Sequence, residues 1–175
     1  DTMDSLPRGA ISEVFGVESC GKILYLNELF AREGAGKEFC ALVDSRGAFD
    51  PFSAAQAGVD LRRLLWVRGD RHIEHAFKAA DLILHAGGFG VVILDLCEVP
   101  ARELNCIPLS YWYRFRLAVE NTPTRLIVAA DQPIVKSCAR VQLEVKRQRL
   151  VWRGPVFAGI DFEIAPRKAR LQLAG

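Results

Sequence analysis

No stretch of this chain approaches the roughly 18 consecutive apolar residues of a membrane-spanning helix, although half of its 175 residues are hydrophobic. No charged-then-apolar leader with a cleavage site precedes residue 11, so the expectation is a soluble, cytosolic protein. The five cysteines (Cys20, Cys40, Cys97, Cys106, Cys138) are odd in number, lie in apolar segments and form no Cys-x-x-Cys pair. They read as buried free thiols of a reducing compartment. Repeats, low-complexity tracts and interdomain linkers are also lacking. The length allows one sizeable core and not two, which predicts a single domain over residues 1–175. Asp1 with Met3 just behind it suggests that a native N-terminal extension precedes the sequence. No Ser-His-Asp or Cys-His pattern carries a supporting motif, so covalent catalysis is not expected. His72, Glu74, His75 and Asp81 lie close together but lack further ligands at fixed spacing. They read as a solvated helix face, and no metal site is expected.

Net charge is only +2, which hides an asymmetry. Residues 136–170 carry nine lysines and arginines against Glu144, Asp161 and Glu163, a balance of +6 that leaves −4 for the first 135 residues. Such a basic end is either an electrostatic footprint for nucleic acid or an acidic partner, or simply the outer face of a strand ribbon.

Short β-rich runs alternate with helical patterns. "ISEVFG" (11–16) leads into a glycine loop and a helix from about Lys22 to Arg32; "KEFCALVDS" (37–45) and "LLWV" (64–67) are the next strands. Between Arg71 and His85 apolar or small residues recur at helical spacing until "GGFG" stops them. "VVILDL" (91–96) is apolar enough for a strand buried on both faces. A helix from Pro108 to Glu120 and a strand "RLIVAA" (125–130) follow. This alternation predicts an α/β fold with a mostly parallel sheet flanked by helices. From Cys138 onward strict alternation without helices predicts antiparallel strands added at one edge.

The loop "FGVESCGKI" holds Gly16, Gly21 and Lys22 at the spacing of a phosphate-binding P-loop, but puts Ile23 where the pattern has Ser or Thr. In a P-loop NTPase the loop amides and Lys22 would hold phosphate, and Asp95, ending the apolar strand downstream, would hold the magnesium shell. With the metal ligand missing, Lys22 is expected to pair with Asp95 or Glu18.

"LPRGAISEVFGVESCGK", "FCALVDSRGAFDP", "AGVDLRRLLWV" and "VVILDL" resemble the RecA recombinase core in order and spacing across nearly the whole chain. Glu18-Ser19 and Asp50-Pro51 are typical of that family. "GGFGVVILDL", "IPLSYWYRF" and "AVENTPTRLIV" resemble more closely the divergent RecA-like proteins of the ImuA type, accessory factors of translesion synthesis. The resemblance implies a RecA-like P-loop core with a remnant nucleotide site at Gly16, Glu18, Ser19, Gly21, Lys22, Asp95 and Gln132, the last at the position of a γ-phosphate sensor.

Three positions depart from the family. Ile23 offers magnesium no lone pair. Arg46 stands where the glutamate that activates water belongs and cannot take its proton. Ser53 stands where an aromatic ring would stack on adenine. No catalytic residue is therefore assigned, no cofactor is expected, and ATP with magnesium is expected to bind weakly at most. After Gln132 only "PIVKS" precedes the next strand, so the second DNA loop of RecA is essentially deleted. Single-stranded DNA binding is then expected to be weak and non-specific.

The reading is a RecA-fold pseudo-ATPase serving as a protein-interaction factor in DNA repair; the alternative is an ATP-dependent, DNA-binding recombinase paralogue. The resemblance implies a bacterial, nucleoid-associated cytoplasmic protein in the SOS damage response. Its implied partners are an inactive Y-family-like polymerase subunit, an error-prone replicative-type polymerase and RecA itself; self-association stays open. Candidate contact residues are Tyr111, Trp112, Arg114 and Phe115 in "YWYRFR", together with Arg167 and Lys168 of the basic ribbon. For the aromatic helix, burial under sheet and loop is the competing explanation.

Overall fold

The structure is a computed structural model that describes residues 6–169, with side chains described through residue 167. Strand β1 (Ala10–Phe15) leads through the glycine loop into helix α1 (Lys22–Ala35), then β2 (Phe39–Asp44), the short α2 (Pro51–Gln56) and β3 (Leu64–Arg68). Helix α3 (Ile73–Ala86), β4 (Phe89–Asp95), the one-turn α4 (Ala101–Leu104), α5 (Leu109–Val119) and β5 (Arg125–Ala130) follow. Two long strands, β6 (Ala139–Arg153) and β7 (Val156–Ala169), end the described chain.

The seven strands among the described residues form one sheet in the order β3-β2-β4-β5-β1-β6-β7. The expected mixed α/β sheet is present, with one change of detail. β6 runs parallel to β1, and only β7 is antiparallel, to β6. β5 ends beside Phe15 and β6 starts beside Ile11, so the connection, which includes a 3-10 turn at Lys136–Cys138, returns along the length of β1 and β6 runs in the common direction.

The pleat divides the core into two layers. On β4, Val92 and Leu94 face the layer under α3 and α5, whereas Val91 and Ile93 face the layer under α1; on β5, Leu126 and Val128 oppose Ile127 and Ala129 in the same way. In the first layer Phe77 of α3 meets Trp112 and Phe115 of α5 at ring separations of 5.2 and 5.5 Å. In the second, Tyr25, Leu26, Leu29 and Phe30 of α1 lie on the sheet, and Phe162 and Ile164 of β7 close its edge.

One buried acid stands out. Glu13, in the middle of β1, is fully inaccessible, and its Oε1 accepts the amides of Ile134 and Val135 at 2.5 and 2.9 Å while Oε2 accepts Nε2 of Gln142 at 2.7 Å. Three donors compensate the buried charge and fix the segment after β5 against the sheet. Glu13→Ala would strand those donors in the interior, at a cost of about 3 kcal/mol. Urea unfolding measures this; a loss below about 1 kcal/mol would mean that the segment rearranges freely.

Candidate functional site

The carboxyl ends of β1, β4 and β5 open onto a cleft of about 260 Å³, lined by the loop residues Glu18 to Lys22, by Ile23 and Leu24, by Cys97 and Glu98, by Asp131, and by Ile160 of β7. In α/β sheets ligands are bound at such strand ends. The loop owes its shape to its glycines. Gly21 has φ 102°, and a Cβ there would lie 2.9 Å from the Phe162 ring; a Cβ on Gly16 would run into the Val145 carbonyl of β6. The β6–β7 ribbon therefore presses directly on the loop. Helix α1 starts with no side-chain cap and no acidic residue in its first turn, which leaves its amides and the positive end of its dipole facing the cleft.

Lys22 is 6% exposed and turns back on its own loop. Its ammonium donates to the Gly16 carbonyl, reaches the Val17 carbonyl at 3.5 Å, and pairs with Oδ1 of Asp131 at 2.8 Å. The expected partners Asp95 and Glu18 are thus replaced by Asp131, which the β1–β5 pairing carries to the loop from the end of the neighbouring strand. The position of Asp131 directly before Gln132 was the one signal available for it in the sequence. Burial pulls the Lys22 pKa down, but neighbouring Cys97 and the bond to Asp131 outweigh this and hold it above its ordinary value. Oδ2 of Asp131 accepts the Glu98 amide at 3.0 Å, and the Glu98 carbonyl accepts Nε and Nη2 of Arg46 at 3.2 and 3.0 Å. A continuous polar chain therefore crosses the strand ends from Lys22 to Arg46.

Asp44 and Asp95 end neighbouring strands in register. Asp44 is saturated by the amides of Gly47, Ala48 and Phe49 and by the Trp66 indole. Asp95, half-buried, accepts the Cys97 amide at 2.9 Å; burial pushes its carboxyl up to about 6, with the charge of Asp44 adding to the shift and the bonds from Cys97 opposing it.

The other predicted positions scatter. Ile23 is 58% exposed and offers an alkyl surface at the cleft mouth. Arg46 does not line the loop cleft; it borders a second hollow beside Arg68 and Arg71. The Ser53 hydroxyl donates to Asp50, which also accepts the Phe52 and Ser53 amides, so Ser53 belongs to the cap of α2. Gln132 is exposed and outside the cleft lining.

On α5 the expected contact surface is corrected by packing. Trp112 and Phe115 are buried at 2% and 0% exposure, Tyr111 is half-buried against Phe77, and none of their rings forms an open face. Arg114 forks onto Asp81 at 2.6 and 2.8 Å and holds that carboxyl below its usual range. Of its apolar residues α5 exposes Leu109, Tyr113 and Leu117, and α3 exposes Leu82. In the ribbon, Arg167 bonds Glu144; Lys168 takes its place in β7 opposite Gln142, its side chain outside the described residues, as is Arg170.

A model of the RecA N-terminal domain matches residues 2–106, more than half of the chain and all of its strands through β4. The chain belongs to the RecA N-terminal domain family. The uncapped amides at the start of α1 face the cleft and could hold a phosphate group. For a divalent ion the set is poor, since no group of three or more His, Cys, Asp or Glu gathers among the described residues.

The raised Asp95 pKa has a measurable sign. The ordinary value is 3.8 and the folded value about 6, so ionisation of Asp95 costs the native state stability as pH rises between the two. Asp95→Asn should stabilise the protein by about 2 kcal/mol at about pH 7.5, with the gain shrinking below about pH 6 and gone near about pH 4. Thermal melts across that range check it; a destabilised variant at neutral pH would mean that the charge is compensated.

Proposed function

We propose that this RecA-family chain is a pseudo-ATPase acting as a protein-interaction accessory factor in DNA repair, of the kind that serves translesion synthesis in the SOS response. Its partners would be translesion polymerase subunits and RecA. The observation that carries the reading is the engagement of Lys22: its ammonium closes the loop and pairs with Asp131, while the next side chain, Ile23, has nothing to give a metal. The cradle then works as a structural joint between β1 and α1. Arg46 at the position of the base supports the same conclusion, because a guanidinium cannot accept a proton from water. Surfaces offered to partners are the exposed Leu82 of α3, Tyr113 and Leu117 of α5, and the β6–β7 ribbon.

Isothermal titration with Mg-ATP tests this directly. Binding is expected to be weak or absent, and Ile23→Thr alone is expected to add no hydrolysis, because Arg46 still holds the place of the base. Micromolar binding with turnover in the unmodified protein would overturn the reading.

Single-stranded DNA should bind non-specifically and weaken by at least tenfold between about 50 and about 200 mM salt, since phosphate contacts gain chiefly through counterion release. Fluorescence anisotropy checks this. Binding that persists at the higher salt and strengthens with ATP would favour a working recombinase paralogue.

A further inference from the structure

A second hollow, of about 350 Å³, lies at the carboxyl ends of β2 and β3 and is lined by Arg46, Gly47, Arg68, Asp70 and Arg71. The backbone around it is held in place. The loop from β3 to α3 folds back on the end of β2, with the Gly69 amide donating to the Asp44 carbonyl at 2.9 Å and the Arg71 amide to the Ser45 carbonyl at 3.0 Å. Gly69 fits there because it has no side chain: a Cβ would lie 3.3 Å from both Ser45 Cα and Ala76 Cβ. Asp70 and Arg71 are both left-handed, at φ 49° and 62°, a conformation that Asp adopts more readily than most residues but that is unfavourable for Arg. The fold thus spends strain to present Arg71 at this point.

The other two guanidiniums are positioned as well. Arg46 is fixed by its two bonds to the Glu98 carbonyl, and Arg68 lies over the Trp66 ring at 5.4 Å, whose indole is tied to Asp44 at 3.2 Å. These contacts orient the charges without neutralising them. Arg8, Arg62, Arg114, Arg125, Arg149 and Arg167 each reach a carboxylate, whereas Arg46, Arg68 and Arg71 form no ion pair among the described residues. Asp70 is the one acid in the lining, so the hollow is strongly cationic. Guanidinium forks match the oxygens of phosphoryl groups. The three line one shallow, open hollow of small-ligand volume, and all come from the end of β3 or the loops after β2 and β3.

We propose that this hollow binds a small phosphoanion carrying more than one phosphoryl group, at a site separate from the glycine loop. Inorganic tripolyphosphate is the probe, titrated calorimetrically at low ionic strength into the protein, Arg68→Gln, Arg71→Gly and the remote control Arg149→Gln. One equivalent should bind, and each of the two hollow variants should weaken it at least tenfold while the control does not. Arg71→Gly also removes a strained left-handed residue, so its melting temperature should hold or rise, which separates lost binding from lost folding. Unchanged affinity in both hollow variants would place the anion on the glycine loop and overturn the proposal, as would the absence of saturable binding. An oligothymidylate that binds more tightly than tripolyphosphate and is lost in the same variants would assign the arginines to a nucleic-acid strand and also overturn it.

Discussion

The ammonium of Lys22 holds the candidate site together. A loop of six residues that turns from strand to helix leaves its early carbonyls facing inward, where they need a donor. Lys22 supplies one, bonding the Gly16 carbonyl and reaching that of Val17, and its charge is balanced by Asp131. Because Asp131 also takes the Glu98 amide, the ends of β1, β4 and β5 are tied through one carboxylate. A lysine committed in this way has few donors left for a ligand.

Asp131 can play this part only if the segment after β5 is fixed, and Glu13 fixes it. The two carboxylates work in series: Glu13, in the middle of β1, gathers the amides of Ile134 and Val135, while Asp131 bonds Lys22 at the loop. The short connection to β6 matters for the same reason. The short segment between Asp131 and Ala139 runs back along β1, and with β6 paired to β1 in parallel, Val145 and Phe162 bear on the loop glycines.

Much of the fold was legible in the sequence because β2, β4 and β5 are apolar over nearly their whole length and α1 and α3 carry a single apolar stripe. "VVILDL" could be read as a strand covered on both faces, and the helix after the glycine loop followed from the loop itself. The direction of β6 was not legible, since alternation of apolar and polar residues marks a strand without saying which way its neighbour runs. The site was legible in part. Glu18, Ser19, Gly21 and Lys22 line one cleft, but the partner of Lys22 lies 109 positions away at the end of β5, and pairing at that distance leaves no periodic trace. "YWYRFR" misled for a related reason. Trp112 and Phe115 look like excess aromatic surface until α3 is known to supply Phe77 against them.

Charge shows the same limit of one-dimensional reading. The basic excess of residues 136–170 suggested an electrostatic footprint, yet within the ribbon Arg149 meets Asp161 while Arg167 and Lys146 meet Glu144. Cross-strand pairing places those acids beside the bases, and exposed pairs of this kind cancel much of the field they would otherwise cast. The arginines at the ends of β2 and β3 behave in the opposite way. Arg46, Arg68 and Arg71 are spread over 26 positions with acids between them in sequence, so no local count marks them as basic, yet the β2–β3 pairing gathers them on one hollow. The concentration of positive charge therefore depends on strand order, and the sequence region with the largest formal excess need not be where the folded chain most attracts an anion.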